Sequence, residues 1–243
     1  PFSRRDTKGD LRTPAPPNLT AHDVEKMIEN YLPVLENEFL KHFNGDKSTF
    51  TRGKNRLSYE MAKTLVERFL KSEIMFISQQ TEPLFIEALE QKLEKEITIE
   101  INGQKKTILL KGIIDRVDSI GGKIRIIDYK SGKVKQEDLA LRKNDLTPEL
   151  IVESIGNKKH IFQLMMYAFL YHNVSGELAE PGIISLVSSD NKLLKLDLKN
   201  YTTQHVLENF ETYLELILSE IYDESLPYKH SDNGLFSYCK YCE

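Results

Sequence analysis

Several features that mark other protein classes are missing from this sequence. No uninterrupted apolar run approaches the ~18–20 residues of a membrane-spanning helix, which excludes a helical membrane protein. Cysteine occurs only twice, at Cys239 and Cys242; this excludes a disulfide scaffold and suits a reducing compartment such as the cytoplasm. The opening Pro1-Phe2-Ser3-Arg4-Arg5 lacks the apolar stretch of a secretion signal, and without an initiator Met the chain reads as a piece of a longer one. A positive charge balance is also missing, the net charge being −4. Proteins that hold nucleic acid mainly through phosphates tend to be basic, so the sum of charge gives such a partner no support. Internal repeats and low-complexity tracts are absent as well.

What is present is enough apolar material for a real core. The 243 residues are 40% hydrophobic and 29% charged, which suits one large domain or one domain with a helical extension. Charge is unevenly spread. Residues 105–135 hold nine Lys or Arg against three Asp, whereas the acidic excess lies around 25–38, 82–96 and 208–224. A basic strip of this kind fits a phosphate-binding surface, and it fits an ordinary solvated hairpin almost as well.

Periodicity divides the chain into three parts. Residues 1–82 are an extended, proline-containing lead-in followed by helices; 83–225 form the core; 226–243 are a polar tail with both cysteines. Thr20 or Asp23 caps a helix running to about residue 43, which Pro33 is expected to kink or divide. Further helices are expected over 58–77 and over 83–94, the latter opened by Pro83. The period then changes. Ile97, Ile99 and Ile101 alternate with polar residues, Asn102-Gly103 turns the chain, and 107–117 and 123–130 continue as strands around Gly121-Gly122. Residues 136–156 read as a mixed, mobile insertion. A helix over 158–172, a strand pair over 183–187 and 192–198, and a last helix over 203–222 complete an α/β pattern.

The sharpest chemical signal is Gly112-Ile113-Ile114-Asp115-Arg116-Val117-Asp118 followed by Ile126-Ile127-Asp128-Tyr129-Lys130-Ser131-Gly132. Side chains alternate along a strand, so Asp128 and Lys130 share a face and Tyr129 takes the other. A short turn brings Asp115 on the neighbouring strand within reach of Asp128. Two converging carboxylates repel one another and are costly to desolvate, and a cation between them relieves both costs. Hard oxygen ligands with positions left for water favour Mg²⁺ or Mn²⁺ over zinc. Phosphodiester hydrolysis is the chemistry such a site suits, with Lys130 beside the attacking water and the developing negative charge. The plainer reading is that Asp115 with Arg116, or Asp118 with Lys130, forms surface ion pairs, and that Tyr129 and Phe162 are core residues.

These segments resemble two motifs of the RecB-like and AddB-like branch of the PD-(D/E)XK nucleases. That branch also carries a Gln-x-x-x-Tyr helix downstream, matched here by Gln163-Leu164-Met165-Met166-Tyr167. Gln163 and Tyr167 lie four apart on one helical face, placed to reach a substrate strand or to support the site, and Arg116 is a further candidate for either task. The resemblance implies a restriction-endonuclease-like core, a mixed sheet of four or five strands flanked by helices. It implies metal held by Asp115, Asp128 and the Tyr129 carbonyl, with a further carboxylate for which Glu90 is the best match and Glu87 and Glu94 are rivals. It also implies DNA as substrate and a role in repair or recombination beside a helicase. Two features depart from the pattern. No histidine stands in the expected upstream Gly-x-x-x-His setting, and two cysteines cannot hold a four-ligand [4Fe–4S] cluster, so none is expected here. The rival reading is a catalytically silent, nuclease-like module that binds DNA or a helicase subunit.

Overall fold

The computed structural model describes residues 18–101, 103–141, 147–199 and 201–225. The lead-in before residue 18, Asn102 of the hairpin turn and the cysteine-bearing tail lie outside them. After a two-residue strand β1 (Asn18–Leu19), helix α1 (Ala21–His42) starts at Thr20. Thr20 and Asp23 both contribute: the Thr20 hydroxyl accepts from the Asp23 N–H, and the Asp23 carboxylate accepts from the Thr20 N–H. Pro33 does not divide this helix. Pro33 and Glu29, whose carbonyl the ring deprives of its usual donor, are both exposed, so water can take that bond. A short α2 (Ser48–Thr51) and a long α3 (Gly53–Ser78) follow.

The segment expected as a helix over 83–94 is instead the first half of a long strand, β2 (Leu84–Ile101). Its Glu, Lys, Gln, Leu and Ala residues favour helix locally, but propensity is a weak prior. Pairing with β3 (Gln104–Ile120) from Leu84↔Ile120 to Ile101↔Gln104 outweighs it. Residues Leu93, Ile97, Ile99 and Ile101 are thereby placed in the core. Strand β4 (Lys123–Lys130) follows a tight turn in which Gly121 and Gly122 have φ of 55° and 77°. Positive φ at both central residues is what a two-residue hairpin turn needs. The antiparallel meander β2–β3–β4 therefore stands as its alternation suggested.

The stretch 136–156 is not an unstructured insertion. It contains a 3₁₀ turn (Gln136–Leu139) and helix α4 (Pro148–Asn157), with residues 142–146 outside the described set. Leu139, Ile151 and Ile155 are buried, so the segment belongs to the core. Helix α5 (Lys159–Ser175) leads into β5 (Ala179–Ser185), which pairs parallel with β4, and then into β6 (Leu193–Lys195) and α6 (Thr203–Ile221). The sheet is mixed and six-stranded, in the order β1-β2-β3-β4-β5-β6. Four or five strands were expected; the two-residue β1, too short to carry a sequence pattern, makes the sixth.

The two faces of the sheet differ. Helices α4, α5 and α6 bury one face, packing Ile161, Met165, Phe169, Val206 and Phe210 against Ile114, Val117, Ile124 and Ile126. Helix α3 lies on the other, where Phe69 meets the Tyr129 ring edge-on at 5.2 Å and Arg68 donates to the Leu186 carbonyl at 2.6 Å. Among the described residues no helix is long and apolar enough to cross a membrane.

At Gly112 strand β3 approaches α5 so closely that an added Cβ would lie 3.0 Å from Leu170 Cδ1 and 3.1 Å from the Tyr167 ring. Gly112→Ala is expected to destabilise the chain by about 1–3 kcal/mol through overpacking. Denaturant melts check this, and an unchanged midpoint would show that α5 can yield there.

Candidate active site

Strands β3 and β4 are paired from their turn only as far as Arg116↔Ile127. Beyond that pair the alternation of side chains sends Asp115 and Asp128 to the α5 face. The ladder is replaced there by a side chain: the Tyr129 N–H donates to Asp115 Oδ2 at 2.8 Å. Asp128 and Lys130, two residues apart on β4, share the same face, with Lys130 Nζ 2.8 Å from Asp128 Oδ2.

Helix α5 supplies the third side of the site. Gln163 donates through Nε2 to Asp128 Oδ1 at 3.1 Å and to the Tyr167 hydroxyl at 2.9 Å. Its Oε1 accepts from Lys130 Nζ at 2.9 Å. One amide thus joins the carboxylate, the ammonium and the phenol. Gln163 and Tyr167 also wall a cleft of about 710 Å³ with Lys92, Lys111, Phe162 and Met166. Phe162 packs partly against the core as well, as expected.

Asp128 is 3% exposed. Burial pushes its carboxyl above the usual aspartate range, the Lys130 ammonium pulls it back, and the Asp115 charge adds to the rise. Burial likewise raises the Tyr167 phenol. Asp128 Oδ2 is buried and has the Lys130 ammonium at ion-pair distance but no partner in hydrogen-bond geometry. A buried carboxylate oxygen with a free lone pair and a second carboxylate nearby form an oxygen donor set. This set fits a hard divalent cation that keeps several waters.

The expected further carboxylate does not join it. Glu90 lies on β2, not on a helix, and its side chain is exposed. In the register it stands opposite Asp115, between the pairs Leu89↔Arg116 and Gln91↔Ile114, but its φ of 50° takes it out of the ladder. Of its rivals, Glu94 pairs with Lys111 at 3.1 Å and Glu87 accepts from Ser119. Among the described residues no three His, Cys, Asp or Glu side chains gather as a metal cage.

Arg116 is on the opposite side of the sheet. It is 4% exposed and bonds Glu73 on α3 at 2.7 Å and the Tyr129 hydroxyl at 3.2 Å. Its Nε is 2.7 Å from Asp118, which also accepts from Nε and Nη2 of Arg125. Burial works against the charge on Arg116, but the surrounding oxygens of Tyr129, Glu73 and Asp118 outweigh it and hold the guanidinium firmly protonated. These are internal bonds, not the surface ion pairs of the plainer reading, and Asp118 pairs with arginines rather than with Lys130. Two cations of the basic strip, Arg116 and Arg125, are therefore inside the protein.

Sequence reasoning passed over three residues here. His160 stands one helical turn before Gln163; burial and then Lys130 lower its proton affinity, while Asp128 opposes them. Its i, i+3 spacing from Gln163 was the available signal. Glu73 meets β3 at Arg116 and Phe69 meets β4 at Tyr129 from a helix far upstream, and no local spacing announces those contacts.

A family model, the PD-(D/E)XK nuclease superfamily, matches residues 18–243. The chain belongs to the PD-(D/E)XK nuclease superfamily. Its α/β fold, a mixed six-stranded sheet flanked by helices, agrees with the restriction-endonuclease-like core of PD-(D/E)XK proteins. The segment Asp128-Tyr129-Lys130 has the D-x-K spacing that the PD-(D/E)XK name spells. A comparison with curated proteins returned no match.

The raised pKa of Asp128 has a direction that can be tested. The folded chain holds this proton more tightly than the unfolded chain, so stability falls as pH rises from the usual aspartate range through the raised value. Without metal, Asp128→Asn is therefore expected to raise the melting temperature at neutral pH and to abolish Mn²⁺ binding. Glu90→Gln should do neither. Paired thermal melts and Mn²⁺ titrations of the two variants decide between an Asp128-centred site and one that needs Glu90.

Proposed function

We propose that this chain is a Mg²⁺- or Mn²⁺-dependent deoxyribonuclease, with Asp115, Asp128 and the Tyr129 carbonyl as cation ligands and Lys130 as the catalytic cation. The observation that carries the reading is the Gln163 amide, which ties Asp128 to Lys130 beside Asp115 on one face of the sheet. Superfamily membership supports the same chemistry.

Each residue has a task in phosphodiester hydrolysis. A divalent cation at the carboxylates supplies charge neutralisation at the attacked phosphate and makes a nearby water more acidic. Asp128 and Asp115 hold their oxygens on the α5 face, the first by burial and Gln163, the second by the Tyr129 N–H. Lys130 keeps its ammonium 2.8 Å from Asp128 Oδ2 and donates to Gln163 Oε1. There the ammonium serves the attacking water and the charge that develops on the phosphate oxygens. Gln163 and Tyr167 open onto the cleft with Lys92 and Lys111, and this cleft is the path offered to the substrate strand. The cytoplasm, and DNA repair or recombination beside a helicase, suit the RecB-like motifs and the low cysteine content.

The test is degradation of linear DNA with Mn²⁺ or Mg²⁺ by the wild-type chain, Asp128→Ala and Lys130→Ala. The wild type is expected to cut and each variant to lose about 100-fold or more in rate, the scale for removing a group that stabilises transition-state charge. If all three proteins are equally inert while the wild type binds Mn²⁺, the silent-module reading replaces this one.

A further inference from the structure

Helix α3 reaches the catalytic strand from the face of the sheet that the candidate site does not use. Because β3 and β4 stop pairing after Arg116↔Ile127, no backbone ladder fixes the gap between Asp115 and Asp128. On its other edge β4 stays paired with β5 throughout, from Ile124↔Ala179 to Lys130↔Ser185.

Two side-chain links span the gap. On the α5 face the Asp115 carboxylate takes the Tyr129 N–H. On the α3 face Arg116, the chain neighbour of Asp115, reaches the hydroxyl of Tyr129, the residue between Asp128 and Lys130. Glu73 anchors that guanidinium at 2.7 Å, and Phe69 on the same helix supports the Tyr129 ring at 5.2 Å. The side chains of Arg116 and Glu73 are only 5% and 9% exposed, so water does little to loosen the link.

We propose that Glu73, acting through Arg116 and Tyr129, is a positioning residue that sets the separation of Asp115 from Asp128 and so their grip on a divalent cation. The proposal rests on the nuclease reading of that site. Charge-assisted bonds between buried partners hold a narrow geometry. Without the Glu73 carboxylate the guanidinium turns toward Asp118, its other acid, and the Tyr129 hydroxyl loses its donor. The peptide carrying Asp128 and Lys130 then shifts relative to Asp115. Loss of outer partners of this kind typically weakens metal binding by about 10–100-fold.

Mn²⁺ binding to the full chain, measured by calorimetry, tests this in Glu73→Gln, Tyr129→Phe and the core control Leu207→Ala. Tyr129→Phe removes a single oxygen and keeps the ring on Phe69, so it carries the test if Glu73→Gln folds poorly. Both latch variants are expected to bind Mn²⁺ about tenfold more weakly. Leu207→Ala should lower the melting temperature and leave Mn²⁺ affinity unchanged. In DNA cleavage the latch variants should lose kcat with little change in KM. Unchanged Mn²⁺ affinity in Tyr129→Phe and Glu73→Gln overturns the proposal, as does a loss matched by Leu207→Ala. A wild-type chain that takes up no Mn²⁺ overturns it too. A wild type that cuts no DNA, with Mn²⁺ affinity that follows the latch, supports the positioning role while sinking the nuclease reading.

Discussion

Strands β3 and β4 leave their Gly-Gly turn in register and are paired as far as Arg116↔Ile127, where they part. The chemistry of the site follows from that parting. Where the ladder ends, Asp115 takes the Tyr129 N–H with its side chain, and Asp128 keeps a buried oxygen that no hydrogen-bond donor takes. Such an arrangement is unfavourable in isolation, because burial and a neighbouring charge both resist ionisation of Asp128. It makes sense around a cation. Sites that must bind charge commonly give up some fold stability to do so.

The alternation of a strand lets one short segment serve two purposes. Asp128 and Lys130 point to α5 and Gln163, while Tyr129 between them points to α3, Arg116 and Phe69. The α5 face stays partly open along the cleft beside Tyr167, and the α3 face is closed by buried ion pairs. A cavity of about 610 Å³ also lies on the α3 side, lined by Phe76, Arg125 and Ile127. None of Asp115, Asp128, Lys130, Gln163 or Tyr167 lines it.

Charge distribution looks different once the fold is known. Read along the chain, the strip from residue 105 to 135 resembles a surface for phosphates. In three dimensions Arg116 and Arg125 are internal, spent on Asp118 and Glu73, and Lys111 pairs with Glu94. What remains near the cleft is a small set of lysines, consistent with a chain whose net charge is −4.

Much of the site was legible in advance because it is built from local patterns. The D-x-K spacing places Asp128 and Lys130 together by strand geometry alone, and the four-residue spacing of Gln163 and Tyr167 places them together by helix geometry. The antiparallel meander was readable from Gly121-Gly122 and the alternating isoleucines. The helical composition of residues 83–94 misled, since pairing along β3 decided a contest that local propensity favoured the other way. Glu90 was misplaced for the same reason. The sequence by itself determined which residues share a strand face or a helix face, because those periods are properties of a single element. Only the tertiary structure decided that Glu90 stays outside the site, that Arg116 turns inward, and that Glu73 reaches the strand, because each depends on how elements far apart in the chain meet.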